Sequence, residues 1–383
     1  MTVPPLDPAV LPHGVRSRFV DGVNGLRVHL LEAGDPASPG VLLLHGFPEI
    51  AYSWRRILPL LAGAGFHAVA PDLRGYGRTA SGRTASGRTG FDDDLAPFRM
   101  TNRLLDVLCL LSALDRGQVA LVGHDYGAWV AGFCALARPD VFTSLTLMSA
   151  PFTGAPSLGA APASLRPPAA DPIHQALATL PRPRKHYQAY FAGPSAAPDM
   201  DGAEGKVAAF LRAYFHHKSA DWPGNMPHPL PGWTAEALAG MPTYYVMDRD
   251  RTMPETVAPE MPADGGASCA WLTPAELSVY AGDYARTGFQ GALQGYRIRM
   301  NGSLARDLAL FAGRHVAVPA LFVSGRQDWG PFQGPGALEH MRTVSCPAMD
   351  GCHLLDGAGH WVQQEQPEEV AELLVPFLRR SQP

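Results

Sequence analysis

The stretch VGHDYGAWVAG, residues 122–132, narrows the folds open to this chain more than any other. The apolar run VALV (119–122) leads into it, and the apolar helical pattern AWVAGFCALA leads out of it. Between them a glycine stands two residues either side of Asp125. That frame is a strand-to-helix elbow. It forces its central residue into a strained backbone conformation, and its flanking positions must be small for the turn to close. Gly123, Gly127 and Ala128 meet that demand. An elbow of this kind lifts its central side chain above the carboxyl edge of a sheet. Serine usually occupies that place; here it is a carboxylate.

The remainder of the chain reads as a parallel sheet covered on both faces. RFVDGV and LRVHLLEAG are opening strands with a glycine turn between them. Continuous apolar runs of strand length follow at 41–46, 67–73, 119–124 and 144–151, with a helical stretch at 103–114. Buried runs without alternation, separated by helices, are the pattern of a parallel sheet. From about Phe152 to Gly313 the chain is rich in Pro, Ala, Trp and Tyr and shows no clear strand. Strand-like runs resume at 318–328 and 351–360, and an amphipathic helix, PEEVAELLVPFLRR, closes the pattern. The expectation is an α/β core over 1–152 and 314–383, split by a mainly helical insertion over 153–313. The tandem repeat GRTASGRTASGRTG (77–90) is polar and glycine-rich, as a flexible surface loop would be.

Composition limits the function classes. The 383 residues are 46% hydrophobic and 17% charged, ample for a large buried core. The net charge of −4, without any block of Lys or Arg, gives no electrostatic handle for nucleic acid or an anionic membrane. The first residues, MTVPPLDPAVLPHG, lack the basic start and apolar run of a secretory signal. No apolar stretch approaches the roughly 18 residues needed to span a bilayer. A cytoplasmic protein is expected. Cys109 and Cys134 lie in apolar helical contexts, and Cys346 and Cys352 have no second Cys or His pair at zinc spacing. With Cys269 they are expected to be reduced, structural thiols, with no metal bound.

Other strand ends supply partners for Asp125. HGFPE (45–49) directly follows the apolar VLLL. In an acyl-transfer site two backbone N–H groups point at the developing oxyanion. One comes from the residue after the elbow tip, Tyr126, and the other from this loop, at Phe47. A cis bond at Pro48 would hold the loop. The acid and the base should follow in chain order. SGRQDWG offers Asp328, and DGAGHW offers His360 on a glycine-rich loop before the last helix. Only His45 and His124 among the other histidines stand at matching strand ends; His45 belongs to the oxyanion loop, and His124 is structural.

Taken together, HGFPE with YSWR, APDLRGYGRT, GHDYGA, the strand-end Asp and GAGHWVQQEQPEEV resemble the soluble epoxide hydrolases of the α/β-hydrolase superfamily. The resemblance covers nearly the whole core. It implies an α/β-hydrolase fold with a helical cap, two lid tyrosines, no cofactor, and a small-molecule epoxide and water as partners of a monomer or homodimer. HYQAYF (186–191) and TGFQGALQGYR (287–297) sit where the family carries those tyrosines, which makes them Tyr187 and Tyr296. The chain departs from the family at Gly295, where a Trp commonly precedes the tyrosine, and in the long segment between the two tyrosines.

The resemblance also gives the aspartate a purpose. An epoxide has no acyl carbon, only a strained saturated carbon bearing an oxygen leaving group. A carboxylate that attacks it becomes an ester, and water then attacks the carbonyl carbon of Asp125 with the help of His360 and Asp328. The two phenols donate to the leaving oxygen. Phe47, Trp129 and Phe152 are expected to line the pocket. The same nucleophile serves haloalkane dehalogenases, which place a Trp after the Asp, and fluoroacetate dehalogenases, which place an Arg there. Tyr126 stands at that position here. A dehalogenase is therefore the alternative enzyme, and a non-catalytic ligand-binding member of the fold the alternative from another class.

Overall fold

In a computed structural model of the chain, the described residues are 3–79, 88–157, 171–202, 207–300, 302 and 307–382. The strands are β1 (Arg16–Val23), β2 (Leu26–Ala33), β3 (Gly40–Leu44), β4 (His67–Pro71), β5 (Val119–His124), β6 (Phe142–Met148), β7 (Arg184–His186), β8 (Val246–Asp248), β9 (Ala320–Gly325) and β10 (Met349–Leu355). Eight of them form one sheet in the order β1-β2-β4-β3-β5-β6-β9-β10. From β4 to β10 every neighbouring pair is parallel; β2 pairs antiparallel with both β4 and β1. Residues 80–87, within the repeat expected to be a flexible loop, lie outside the described part.

Burial explains why those runs read as continuous. Every residue of β4 and β5 is buried, as are nearly all of β3, β6 and β9, since helices cover both faces. Fully burying a Val or Leu contributes about 1.5–3 kcal/mol, so the alternation seen in half-exposed strands has no place here. Helix Tyr126–Ala137 is apolar on nearly all sides and accordingly buried on nearly all sides. The C-terminal helix Pro367–Arg380 instead buries one stripe, with Val370, Ala371, Leu374, Phe377 and Leu378 inward.

Strand order locates the crevice. The connection from β3 steps to β4 on one side, and the next strand, β5, lies on the other side of β3. The loops leaving β3 and β5 therefore part at their carboxyl ends, where open α/β sheets bind ligands. Leu44 pairs with Gly123 and His124 with Met148, so these ends lie level.

Several strands end earlier than their apolar runs do. The runs ending at Pro151, Asp328 and His360 stop as strands at Met148, Gly325 and Leu355. Beyond each strand lies apolar or glycine-rich loop, which periodicity does not distinguish from strand. The segment between β6 and β9 is mainly helical, including Val207–Lys218, Pro274–Thr287 and Gln290–Met300. It also contains β7 and β8, a two-stranded antiparallel pair where no strand was expected. Three-residue strands are too short to leave a periodic signal. Arg55, between β3 and β4, ties this segment to the core: it donates to Glu276, to the Trp271 carbonyl and to Gln364.

Candidate active site

Asp125 occupies the elbow with φ 51° and ψ −118°, a left-handed conformation that costs a non-glycine residue on the order of 1–3 kcal/mol. The surrounding structure holds it there. Its N–H donates to the Met148 carbonyl, and its own carbonyl accepts from Ala128 at the start of the helix. The strain lifts the carboxylate to the mouth of the crevice, where the side chain keeps 16% exposure. From the opposite lip, the Phe47 N–H donates to Asp125 Oδ1 at 3.0 Å. This approach requires Gly46, because a Cβ there would lie 2.4 Å from Oδ1. The Phe47–Pro48 bond is cis. Tyr126 is the first residue of its helix, so its N–H has no partner within the helical ladder.

Asp328 and His360 converge on the same point. His360 Nδ1 lies 3.0 Å from Asp328 Oδ1, and its Nε2 lies 3.4 Å from Asp125 Oδ2. A carboxylate accepts only, so Nδ1 carries a proton toward Asp328, and Nε2 is the ring nitrogen that faces Asp125. Nε2 is buried and makes no hydrogen bond. Asp328 is anchored by the Gly330 N–H at 2.7 Å and by the Ser324 hydroxyl at 3.0 Å. Burial pushes both carboxyls upward. For Asp125 the adjacent His360, with Lys218 and His124, outweighs burial and holds the group below the usual carboxylate range; for Asp328, His360 and the Gly330 N–H do the same.

A buried polar network fixes the backbone of His360, and sequence reasoning missed most of it. The His360 carbonyl lies 2.7 Å from His124 Nε2 and accepts from the Ser149 hydroxyl; its N–H donates to the Lys218 carbonyl. The flanking N–H groups of Gly359 and Trp361 both donate to Glu365. His124 Nδ1 faces Glu49 Oε2 at 2.6 Å. Both neighbours of the His124 ring are acceptors, so both its nitrogens donate and the ring is an imidazolium. Burial disfavours that cation, but Glu49 overrides it and raises the pKa. Gln363 and Gln364 satisfy the other Glu49 oxygen. The available signal was Glu49 in HGFPE and the polar run QQE before the last helix.

A cavity of about 170 Å³ opens onto Asp125, with Tyr187, Tyr296, Tyr126, Trp129 and Arg299 on its wall. Tyr187 directly follows β7, and its N–H extends the small sheet by donating to the Tyr245 carbonyl. Tyr296 comes from helix Gln290–Met300, its ring centroid 6.0 Å from that of Tyr187. Gln188 Nε2 donates to the Tyr187 hydroxyl at 3.0 Å. Burial raises the pKa of both phenols, with the Asp125 charge adding to it, so both stay protonated donors.

Two residues expected on the pocket wall are placed elsewhere. Phe152 packs edge-on against Phe133 at 4.9 Å and closes over Gly132, inside the core. The Phe47 ring does not line the cavity; it packs among Phe191, Tyr214 and Phe289 and behind the wall residue Tyr296, so its backbone alone addresses Asp125. Gly295 is also explained. A Cβ there would lie 2.8 Å from the Tyr126 ring and hydroxyl, so the Tyr126 phenol takes the space that a larger residue would need.

Comparison with known proteins shows the family. The family described as alpha/beta hydrolase fold matches residues 39–263. The chain is 33% identical over 375 residues to epoxide hydrolase B of Mycobacterium tuberculosis, covering 94% of this chain and 97% of the relative. It is also 33% identical over 368 residues to epoxide hydrolase A of that organism, covering 94% and 96%. Among solved structures, an epoxide hydrolase from an endophytic Streptomyces superposes with TM-score 0.76 at 32% identity, over 96% of each chain. A laboratory evolved variant of potato epoxide hydrolase superposes with TM-score 0.72 at 28% identity, over 96% of this chain and 99% of that one.

Proposed function

The chain belongs to the epoxide hydrolases of the α/β-hydrolase fold, and from that premise we propose the residues that carry out its reaction. The enzyme adds water to an epoxide and releases a vicinal diol through a covalent ester on its elbow aspartate. Asp125 attacks one oxirane carbon from the side opposite the C–O bond that breaks. Tyr187 and Tyr296 donate to the oxirane oxygen as it becomes an alkoxide, and one of them delivers the proton. His360 then takes a proton from water through Nε2, and the resulting hydroxide attacks the Asp125 carbonyl carbon. Asp328 stabilises the imidazolium that forms. The N–H groups of Phe47 and Tyr126 hold the oxyanion until the ester C–O bond breaks; the His360 imidazolium then protonates the departing alkoxide, the proton of the re-formed Asp125 carboxyl restores the tyrosine, and the diol leaves. The helical segment 153–313 acts as the lid that carries both tyrosines, and Trp129 forms part of the pocket wall.

One observation supports this assignment above the others. A single carboxylate, Asp125, receives a backbone N–H on one oxygen, faces an unpartnered imidazole nitrogen with the other, and shares its cavity with two protonated phenols. A nucleophile, base, oxyanion donor and acid are thereby all within one crevice. Among the described residues no helix is long and apolar enough to cross a membrane. We take the enzyme to be cytoplasmic, a monomer or homodimer that binds neither nucleic acid nor membrane.

The test is a substrate panel: styrene, aliphatic and terpene oxides beside halogenated alkanes and fluoroacetate. Diol formation from epoxides, without halide release from the others, is expected. Halide release without diol would overturn the reading.

A further inference from the structure

Arg299 has a role to fill that the reaction above leaves open. It follows Tyr296 by three residues on helix Gln290–Met300, a spacing that sets both side chains on one face. Its guanidinium carbon lies 4.0 Å from the centroid of the Trp129 ring, and both residues line the cavity that opens onto Asp125. The guanidiniums of Arg55 and Arg74 pair with Glu276 and Asp106. Among the described residues no carboxylate pairs with Arg299, and none of its nitrogens donates a hydrogen bond. The one carboxylate lining the cavity, Asp125, is engaged by Phe47 and His360.

Chemistry narrows what such a cation is for. Arg299 is half-buried; a guanidinium partly withdrawn from water without a counter-charge is costly, and arginine does not shed its proton to escape that cost. Stacking on Trp129 returns only part of it. The other basic side chain on the wall, His186, is held neutral: burial and the nearby His174 and Arg299 charges lower its pKa to about 3. Arg299 is thus the one permanent cation lining the cavity among the described residues. Its planar fork matches a carboxylate, two N–H groups to two oxygens.

We propose that Arg299 anchors a carboxylate on the substrate, so that the epoxides this enzyme prefers are short epoxy acids. The oxirane then sits between Asp125 and the two tyrosines, and the acid group reaches Arg299 above Trp129. The proposal rests on the epoxide hydrolase assignment and adds a substrate class to it. The anchor also offsets the repulsion that a carboxylate substrate meets from ionised Asp125.

The test compares epoxy-octanoic acid, with a terminal oxirane, against its primary amide, with styrene oxide as a neutral reference. In the wild type, kcat/KM for the acid should exceed that for the amide by about tenfold or more, mainly through KM, the scale of one charge-assisted hydrogen bond. The ratio should collapse to about one or below in Arg299→Gln and recover in part in Arg299→Lys, which keeps the charge but not the fork. In the wild type alone, raising salt should reduce the ratio, and hexanoate should inhibit styrene oxide turnover competitively. Equal turnover of acid and amide by the wild type overturns the anchor, as does a ratio unchanged in Arg299→Gln. Failure to convert any of the three epoxides overturns the activity assignment instead.

Discussion

Asp125 and His360 face each other at 3.4 Å, Oδ2 to Nε2, while Asp328 holds the far nitrogen of the same imidazole at 3.0 Å. The relationship separates two half-reactions. In the proposed mechanism Asp125 is held ionised and needs no base to attack carbon, whereas water needs His360 to attack the ester. His360→Gln should therefore leave alkylation intact and stall hydrolysis. Intact-protein mass spectrometry should find an adduct equal in mass to one substrate. Retained turnover with no adduct would remove His360 from the role of base.

The proposed acids, Tyr187 and Tyr296, are assigned to the other half. Tyr187→Phe and Tyr296→Phe each remove one donor to the oxirane oxygen, so each should slow alkylation while hydrolysis of a preformed ester survives. Loss of a lone general acid costs on the order of 10²–10⁴ in rate, and with two donors sharing the work a single loss should fall near the lower end. Stopped-flow alkylation rates for both single variants and the double variant provide the check. Wild-type rates in all three would exclude the pair.

Gly295 and Tyr126 should behave as a coupled unit. Within a helix, Gly→Ala gains roughly 0.5–1 kcal/mol. Here the new Cβ would meet the Tyr126 phenol at 2.8 Å, and overpacking typically costs about 1–3 kcal/mol. The steric term wins, so Gly295→Ala should destabilise the protein. In a Tyr126→Ala background the clash is gone, and the same substitution should become neutral or stabilising. Denaturant unfolding of the four proteins measures the coupling; additive effects would mean that the two side chains do not compete for this space.

The His124–Glu49 pair predicts a pH dependence of stability. Burial raises the Glu49 pKa, but His124 reverses this and leaves it below 4.5, so its contribution is complete above 4.5 and is lost as pH falls through the folded value. The folded pKa of His124 lies above 6.5; its contribution is complete below 6.5 and is lost as pH rises through the folded value. Both contributions are whole only between those limits. Above pH 6.5 the folded protein retains a proton that the unfolded chain releases, so stability should fall with a slope of up to about 1.4 kcal/mol per pH unit. Glu49→Gln, which removes the counter-charge, should flatten that slope. Parallel curves for wild type and variant would contradict the charged pair.

How far the sequence alone reaches depends on the neighbours of each residue. Asp125, Phe47 and Asp328 each follow a buried strand and His360 follows the half-buried edge strand β10; in a parallel sheet those ends share one edge, so chain order was enough to bring them together. Phe152 also follows a strand, yet its side chain turns inward onto Gly132; proximity to the edge does not determine direction. β7 and β8 have three residues each, too few for a period. Glu49, His124, Gln363 and Gln364 are polar residues at complete or near-complete burial, and composition cannot reveal that they satisfy one another. Arg299 was legible only as an i, i+3 partner of Tyr296, and which face of that helix looks into the cavity is a matter of packing.

The last prediction concerns the origin of the product's oxygen. If Asp125 forms the ester and water attacks its carbonyl carbon, the new oxygen on the first diol comes from the enzyme. A single turnover in H₂¹⁸O, with enzyme in excess, should place the label in the Asp125 side chain and leave the diol unlabelled. After many turnovers the diol should carry the label, because the carboxylate has itself exchanged. Were Asp125 only to activate water, the diol would be labelled on the first turnover and peptide mapping would find Asp125 unchanged. Asp125→Ala cannot separate these cases, since both predict an inactive protein. The geometry favours the first. His360 Nε2 lies on one side of the carboxylate, where the proposed base should be, and the Phe47 N–H on the other, where it would serve an oxyanion that forms only if the carboxyl carbon is attacked.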